Sequence, residues 1–286
     1  MIDSTLVIAF LVIFGVAMGS FVGAMVWRLR KQQLNDEKKH PVHTDKYSIV
    51  TGRSMCSHCE HPLAPIDLIP LLSWLSLGGR CRYCKKPIGA TEPLLEASMA
   101  ILFVVSYLVW PLPLETWYQW LDFGFWLVYV VLLVALFVYD LRWYILPDKL
   151  VWTLVGLALV NAVIQFIAIG HYDQWLEVLK FHVYGLLPIA GLYWFIYSFS
   201  GGRMIGFGDV KLGIFMGLVL GWEKALMVLL VANVLGGLVV LPLLLTKKLK
   251  RDSRVPFGPM LIVAFFIAGL WGDYLIKWYF TVHVGY

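Results

Sequence analysis

Charge is what this chain has least of. Only 14 % of its 286 residues are Asp, Glu, Lys or Arg, against about 25 % in a soluble globular domain. Meanwhile 60 % are hydrophobic and the mean hydropathy is +0.77. One globular core cannot hide that much apolar surface from water, so a soluble globule is excluded and a polytopic membrane protein is expected. Disorder, a collagen-like fibre and a small disulfide scaffold are excluded as well. Cysteine is almost missing: the chain has four, Cys56, Cys59, Cys81 and Cys84. No repeat of fixed period is visible, and no Gly-rich dinucleotide loop of the Rossmann kind. The net charge of +5 is small and dispersed, which argues against a nucleic-acid partner.

What the chain does have is long apolar runs. A spanning helix needs about 20 mostly apolar residues. Thr5–Trp27, Leu94–Trp110, Trp120–Tyr139, Leu150–Ile169, Val183–Phe199, Ala225–Leu245 and Phe257–Phe280 qualify. Lys211–Gly221 is an eighth segment, short and Gly-rich. The first run is too long for a signal-peptide core, and its positive charge follows rather than precedes it, so it is expected to be retained. The expected fold is all-α: about eight transmembrane helices with a small cytoplasmic zinc-binding loop domain. The expected division is 1–29 (first transmembrane helix), 30–92 (zinc-knuckle loop) and 93–286 (membrane core).

Eight crossings put both termini on one side. On the other face fall Arg28–Glu92, the loop with Arg142 and Lys149, the segment with Arg203 and Lys211, and Thr246–Val255. These hold 20 of the 23 Lys and Arg residues, leaving Lys180, Lys224 and Lys277 opposite. The positive-inside rule makes the basic face cytoplasmic. Residues 31–48 are polar and read as a mobile insertion. Asp122, Asp173 and Glu177 fall on the outer side, where solvation is expected.

The cysteines form two C-x-x-C pairs 21 residues apart. Four thiolates at this spacing can close a tetrahedral zinc site, and reducing conditions in a cytoplasmic loop disfavour disulfides. A site closed by four sulfurs leaves no position for substrate, so the zinc is expected to be structural. His58 and His61 stand close enough in sequence to substitute as ligands. Between the pairs runs the apolar stretch Ile66–Leu75. It reads as the knuckle's own core, an interfacial segment or a substrate-facing surface.

Two aspartates sit at the basic face. Asp140 ends the third span, and Asp209 follows Gly206-Phe207-Gly208 and precedes Lys211. A carboxylate at membrane depth is costly and functional by default; the bland alternative pairs them with Arg142 and Lys211. The distance in sequence from Asp209 to Glu223 is only 14 residues, about 21 Å of helix, against a hydrocarbon core about 30 Å thick. The glycines would then form irregular backbone below the surface, which needs a protein cover or a watered cavity. A watered cavity with two carboxylates suits aspartic proteolysis: one carboxylate takes a proton from water, the other gives one to the scissile carbonyl. Asp148, after Pro147, reads as a helix N-cap. Glu96, in the first turns of the second span, and Asp67 are further acids of the same face.

Taken together, these motifs resemble the type IV prepilin peptidase family. The resemblance rests on Gly19-Ser20-Phe21 with Arg28-Leu29, on Arg53-Ser54-x-Cys56-x-x-Cys59, and on Asp67 through Leu75. It continues through Gly79-Arg80-Cys81-Arg82-x-Cys84, Pro93-Leu94-x-Glu96, Asp140 with Leu146-Pro147-Asp148, Gly206-x-Gly208-Asp209-x-Lys211 and Pro256-Phe257-Gly258-Pro259. It implies a multi-pass enzyme of the bacterial cytoplasmic membrane. This enzyme would cut prepilin and pseudopilin leaders after a Gly with Asp140 and Asp209, then methylate the new N-terminus from S-adenosylmethionine. Gly206, Gly208 and Lys211 would support the first activity, and Glu96 and Asp67 would orient the amine or the donor in the second. The chain departs from the family pattern at Gly23, at Thr91-Glu92 and in the length of 31–48. The first two fall in the part tied to methylation, so a peptidase without methyltransferase activity is one alternative. A proton-coupled transporter using Asp140 and Asp209 is another; it would call for paired broken helices, and the sequence displays one. A non-catalytic scaffold around the zinc knuckle would leave the glycines near Asp209 without a purpose.

Overall fold

A computed structural model describes residues 3–37, 47–49, 51–169, 175–247 and 255–284. Among them every extended element is a helix, and β structure is confined to two isolated bridges. The chain forms two compact units, Met1–Leu108 and Val109–Tyr286. Asp173, Lys248, Lys250, Arg251 and Arg254 lie outside the described residues, as does 38–46, the middle of the expected insertion.

The first unit is built on α1 (Ser4–Glu37) and α3 (Thr91–Leu108), with the short α2 (Leu72–Ser76) in the loop between them. In lipid there is little hydrophobic drive between helices, so small residues that let backbones approach decide the contact. Gly15 and Gly19 do this here. A Cβ on Gly15 would stand 2.7 Å from the Ala100 Cα, and one on Gly19 would run into the Glu96 backbone. At 34 residues, α1 is about 51 Å long and outruns the hydrocarbon. Its polar end, from Lys31 to Glu37, where polarity alone predicts mobility, is helical, because Lys, Gln and Glu are good helix formers. The end of α1 also ties down the returning loop. Arg28, buried, donates to the carbonyls of Ile49 (3.0 Å) and Gly52 (2.9 Å). Gln32 donates to the Tyr47 carbonyl at 2.7 Å, and Tyr47 is itself buried against Trp27.

The second unit comprises α4 (Trp117–Trp143), α5 (Asp148–Ile169), α6 (Trp175–Gly185), α7 (Leu192–Ser200), α8 (Phe207–Leu245) and α9 (Gly258–Val284). A π-type turn at Leu187–Gly191 joins α6 to α7, where Pro188 removes a donor and the Gly191 N–H reaches back to Leu186. It is a second interruption of a spanning segment, beside the one near Asp209 that the sequence displays. The core is aromatic: Trp126 stacks on Phe265 with centroids 5.3 Å apart, and Phe215 lies between Tyr129 and Phe265.

The long helix α8 is two limbs. Gly221 takes φ 72°, ψ 179°, a conformation open essentially to glycine alone, and the chain reverses there. Phe215 packs on Phe265 and Lys224 pairs with Asp273 at 2.8 Å, whereas Gly236 returns to Phe257, just before α9 begins. The first limb therefore runs with α9 and the second against it. Seven described helices are long and apolar enough to cross a membrane, and the two limbs of α8 make eight segments, as the sequence implies. The first limb, residues 207–220, is about 21 Å long. Large apolar side chains on the outer faces, such as Ile13, Phe199 and Leu245, are exposed, as lipid contact requires. The chain is a multi-pass membrane protein.

Candidate active site and metal centre

In the first unit the two cysteine pairs fold into matching knuckles. In each, the first cysteine donates its N–H to the carbonyl five residues on: Cys56 to His61 at 3.1 Å, Cys81 to Lys86 at 2.9 Å. Its carbonyl accepts the N–H of the residue four on, Glu60 or Lys85, and these two sit at φ 54° and 58°. Bridges Met55–Pro62 and Arg80–Pro87 close both loops. The paired pattern Cys-x-x-Cys-x-x-Pro marks this repeated unit in the sequence. The four Sγ atoms lie within 4.8 Å of one another, with Cys56 and Cys84 at 3.9 Å. A tetrahedral metal with bonds of about 2.3 Å would hold sulfurs roughly 3.8 Å apart, while a disulfide needs about 2.05 Å. Four free thiols around one centre can hold a metal ion. His61 stacks on Tyr83 at 3.8 Å instead of joining the cluster.

Asp67 and Glu96 are fixed by the same loop. The Asp67 carboxylate accepts from Arg82 Nε at 2.6 Å and from the Ala64 N–H at 3.2 Å. The guanidinium holds it below the usual carboxylate range. Glu96 is buried on α3 and accepts the Leu71 N–H at 2.7 Å, which pins the apolar stretch to a spanning helix. That stretch is no core of the knuckle: Leu72 and Leu75 are each 65 % exposed, and Ile66, Leu68 and Ile69 are exposed too. The departures at Gly23 and Glu92 face each other, a Cβ on Gly23 standing 3.8 Å from Glu92 Cγ.

In the second unit Asp140 and Asp209 line one open cavity of about 1110 Å³. Asp140 lies in the last turn of α4, is 5 % exposed, and has the Gly258 backbone against its carboxylate. Gly258 must be glycine for that approach, since a Cβ there would stand 2.6 Å from Asp140 Oδ2. The Pro256–Pro259 motif thereby gains a role that the sequence did not supply. Just beyond Asp140, Tyr144 ends α4 in the left-handed region at φ 57° and donates its N–H to the Asp140 carbonyl at 2.8 Å. Asp209 is in the first turn of α8, where the helix dipole favours an acid, and its carboxylate lies beside Gly206, Oδ2 standing 3.5 Å from where a Cβ there would be. Gly206, extended at φ −74°, ψ 146°, is the N-cap. Gly208 makes room for Leu146, whose Cβ would be 3.1 Å from a Cβ at 208.

Lys211 pairs with neither catalytic candidate. Its Nζ is 2.6 Å from Asp148 Oδ1 and 4.9 Å from the Phe207 ring centroid. Asp148 does open α5, but the contact found for its carboxylate is this one and not a cap. The two interfacial pairings weighed from sequence, Asp140 with Arg142 and Asp209 with Lys211, are absent from the ion pairs among the described residues. Asp122 is likewise not simply solvated: Asn161 and Gln165 each donate to it at 2.8 Å, beside a smaller cavity of about 330 Å³. Glu177 is exposed and pairs with Lys180.

Two family descriptions match. The bacterial peptidase A24 N-terminal domain covers residues 13–110 and the type IV leader peptidase family residues 127–241. Curated relatives include a prepilin leader peptidase/N-methyltransferase of Aeromonas hydrophila, 32 % identical over 284 residues, which spans 94 % of this chain and 92 % of the relative. A protein of the same name from Pseudomonas aeruginosa is 30 % identical over 281 residues, covering 94 % and 91 %. No solved structure matches significantly.

Proposed function

This chain belongs to the type IV leader peptidase family, and on that premise we propose that it cleaves the leader of type IV prepilins and pseudopilins and then methylates the new N-terminus. The observation that carries the first activity is the pair of carboxylates, Asp140 and Asp209, on the wall of one open cavity. Two carboxylates a few ångströms apart share a proton more readily than they carry two charges, and the peptidase reading requires this of Asp140 and Asp209. The ionised one takes a proton from water as the water oxygen attacks the scissile carbonyl carbon. The protonated one gives its proton to the carbonyl oxygen. Collapse of the tetrahedral species moves a proton to nitrogen and breaks the C–N bond, leaving a carboxylate and a free amine. Gly206, Gly208 and Lys211 support the site: the first two through close approach, the last by tying α8 to Asp148.

The second activity fits the first unit. Methyl transfer needs the deprotonated amine, whose unperturbed pKa is near about 8, and S-adenosylmethionine supplies the methyl group. Glu96 and Asp67 are the acids there that hold the loop in the shape this step requires. Cys56, Cys59, Cys81 and Cys84 would hold a structural zinc ion, which crosslinks the knuckles and takes part in no bond-making step. The division we adopt is 1–29 as the first transmembrane helix, 30–92 as the zinc-knuckle loop and 93–286 as the membrane core, which carries the peptidase aspartates and, at its start, Glu96.

The Lys and Arg distribution supports placing the loop and the aspartates on the cytoplasmic side of the bacterial inner membrane. The exposed run Ile66–Leu75, pinned through Leu71 to Glu96, then lies in the lipid interface. The test is to incubate the detergent-purified protein with a leader-bearing pilin peptide and labelled S-adenosylmethionine. Mass spectrometry should find the cut product and its added methyl mass (about 14 Da). An intact peptide would defeat the peptidase reading, and a cut but unmethylated one the second activity.

A further inference from the structure

Buried hydroxyls normally find a partner, and one that does not, beside a reaction centre, points to a partner that arrives with the chemistry. Tyr193 is such a case. It is the second residue of α7, it is 3 % exposed, and its Oη is buried without a hydrogen-bond partner. Its ring is fixed edge-on against Phe257 at 6.1 Å, next to the Gly258 that meets Asp140. It lines the same cavity as Asp140 and Asp209. Among the described tyrosines no other buried hydroxyl lacks a partner.

We propose that Tyr193 is the third polar group of this site, donating its O–H to the oxygen held between Asp140 and Asp209. This rests on the aspartic peptidase reading above. In the resting enzyme that oxygen is the lytic water; after attack it is an oxygen of the tetrahedral species. The phenol transfers no proton. It donates one hydrogen bond from a fixed ring, and such a donor acts most where charge develops in a water-poor pocket. Tyr193 follows directly on the π-type turn at Leu187–Gly191, two residues after its end.

Leader cleavage by Tyr193→Phe is expected to fall on the order of 10²-fold in kcat, the effect of deleting one such donor, with KM nearly unchanged. Thermal stability should not fall, because Phe keeps the ring and removes an unsatisfied group. A packing role predicts the reverse: lost stability with kcat retained. A matched pair of synthetic residues at 193 covers poor folding of that variant. There 4-aminophenylalanine, which keeps a donor, should restore cleavage, and 4-methylphenylalanine, of similar shape without one, should not. Wild type and Asp209→Asn run in the same assay. If wild type cuts, Asp209→Asn does not, and both members of the matched pair cut alike, the role of Tyr193 is overturned and the peptidase reading stands. If wild type does not cut, the peptidase reading itself has failed.

Discussion

Lys211 Nζ lies 2.6 Å from Asp148 Oδ1, an ion pair across 63 positions of sequence. It joins the first turn of α5 to the first limb of α8, two residues beyond Asp209. The Lys211 side chain is 10 % exposed and that of Asp148 66 %, so the ammonium is the group that loses most if the pair is broken.

That asymmetry sets the first prediction. Asp148→Ala leaves a buried ammonium without its acceptor and should lower stability by about 1.5–3 kcal/mol, the range for a hydrogen bond to a charged group. Asp148→Asn keeps an acceptor oxygen and should cost less and retain cleavage. Denaturant titration of the purified protein measures both; equal losses for the two variants would mean that the pair is not the reason.

Gly258→Ala tests the approach of the backbone to Asp140. The new Cβ would stand 2.6 Å from Oδ2, so the carboxylate must move. Displacements of this size cost up to about 10²-fold in rate. Cleavage should fall by one to two orders of magnitude, roughly, while methylation of a peptide supplied already cut stays unchanged. Unaltered cleavage would remove Gly258 from the site.

For the cysteines, elemental analysis of protein purified without added metal should find about one zinc per chain. Any one of the four Cys→Ser changes should lower that content sharply. His61→Ala should leave it intact, since His61 stacks on Tyr83. Less than about half an equivalent in wild type, with no other metal, would contradict the assignment.

Arg82 holds the Asp67 carboxyl below its usual range. A depressed folded-state pKa gives stability that is complete above the unfolded value, about 4, and is lost as pH falls through the folded one. The stability difference between wild type and Asp67→Asn should thus be constant at neutral pH and shrink below about pH 4. Arg82 is 42 % exposed, so solvent screens the pair and the difference should be small. A difference that grows on acidification would contradict the pairing.

Much of this was legible before any coordinates. Apolar runs announce the spans, and the shortness of Lys211–Gly221 announces the reversal that Gly221 makes. The two aspartates stand out because carboxylates at membrane depth are rare. What stayed hidden was long-range or disguised. Nothing near Lys211 names Asp148 as its partner, so the local reading paired it with Asp209. Tyr193 is one aromatic in an apolar helix, and only the missing partner of its hydroxyl marks it. Residues 31–37 are polar, which suggested mobility, yet polar residues with good helix propensity simply continue α1.

The central claim is that Asp140 and Asp209 together cut the leader. The most direct measurement is the initial cleavage rate of a leader-bearing peptide by wild type, Asp140→Asn and Asp209→Asn. Asn preserves the size and shape of the side chain but can neither take nor give the proton. Each variant should remain folded, lose at least about 10³-fold in rate, and still methylate a pre-cut peptide. Cleavage at the wild-type rate by either folded variant would contradict the account.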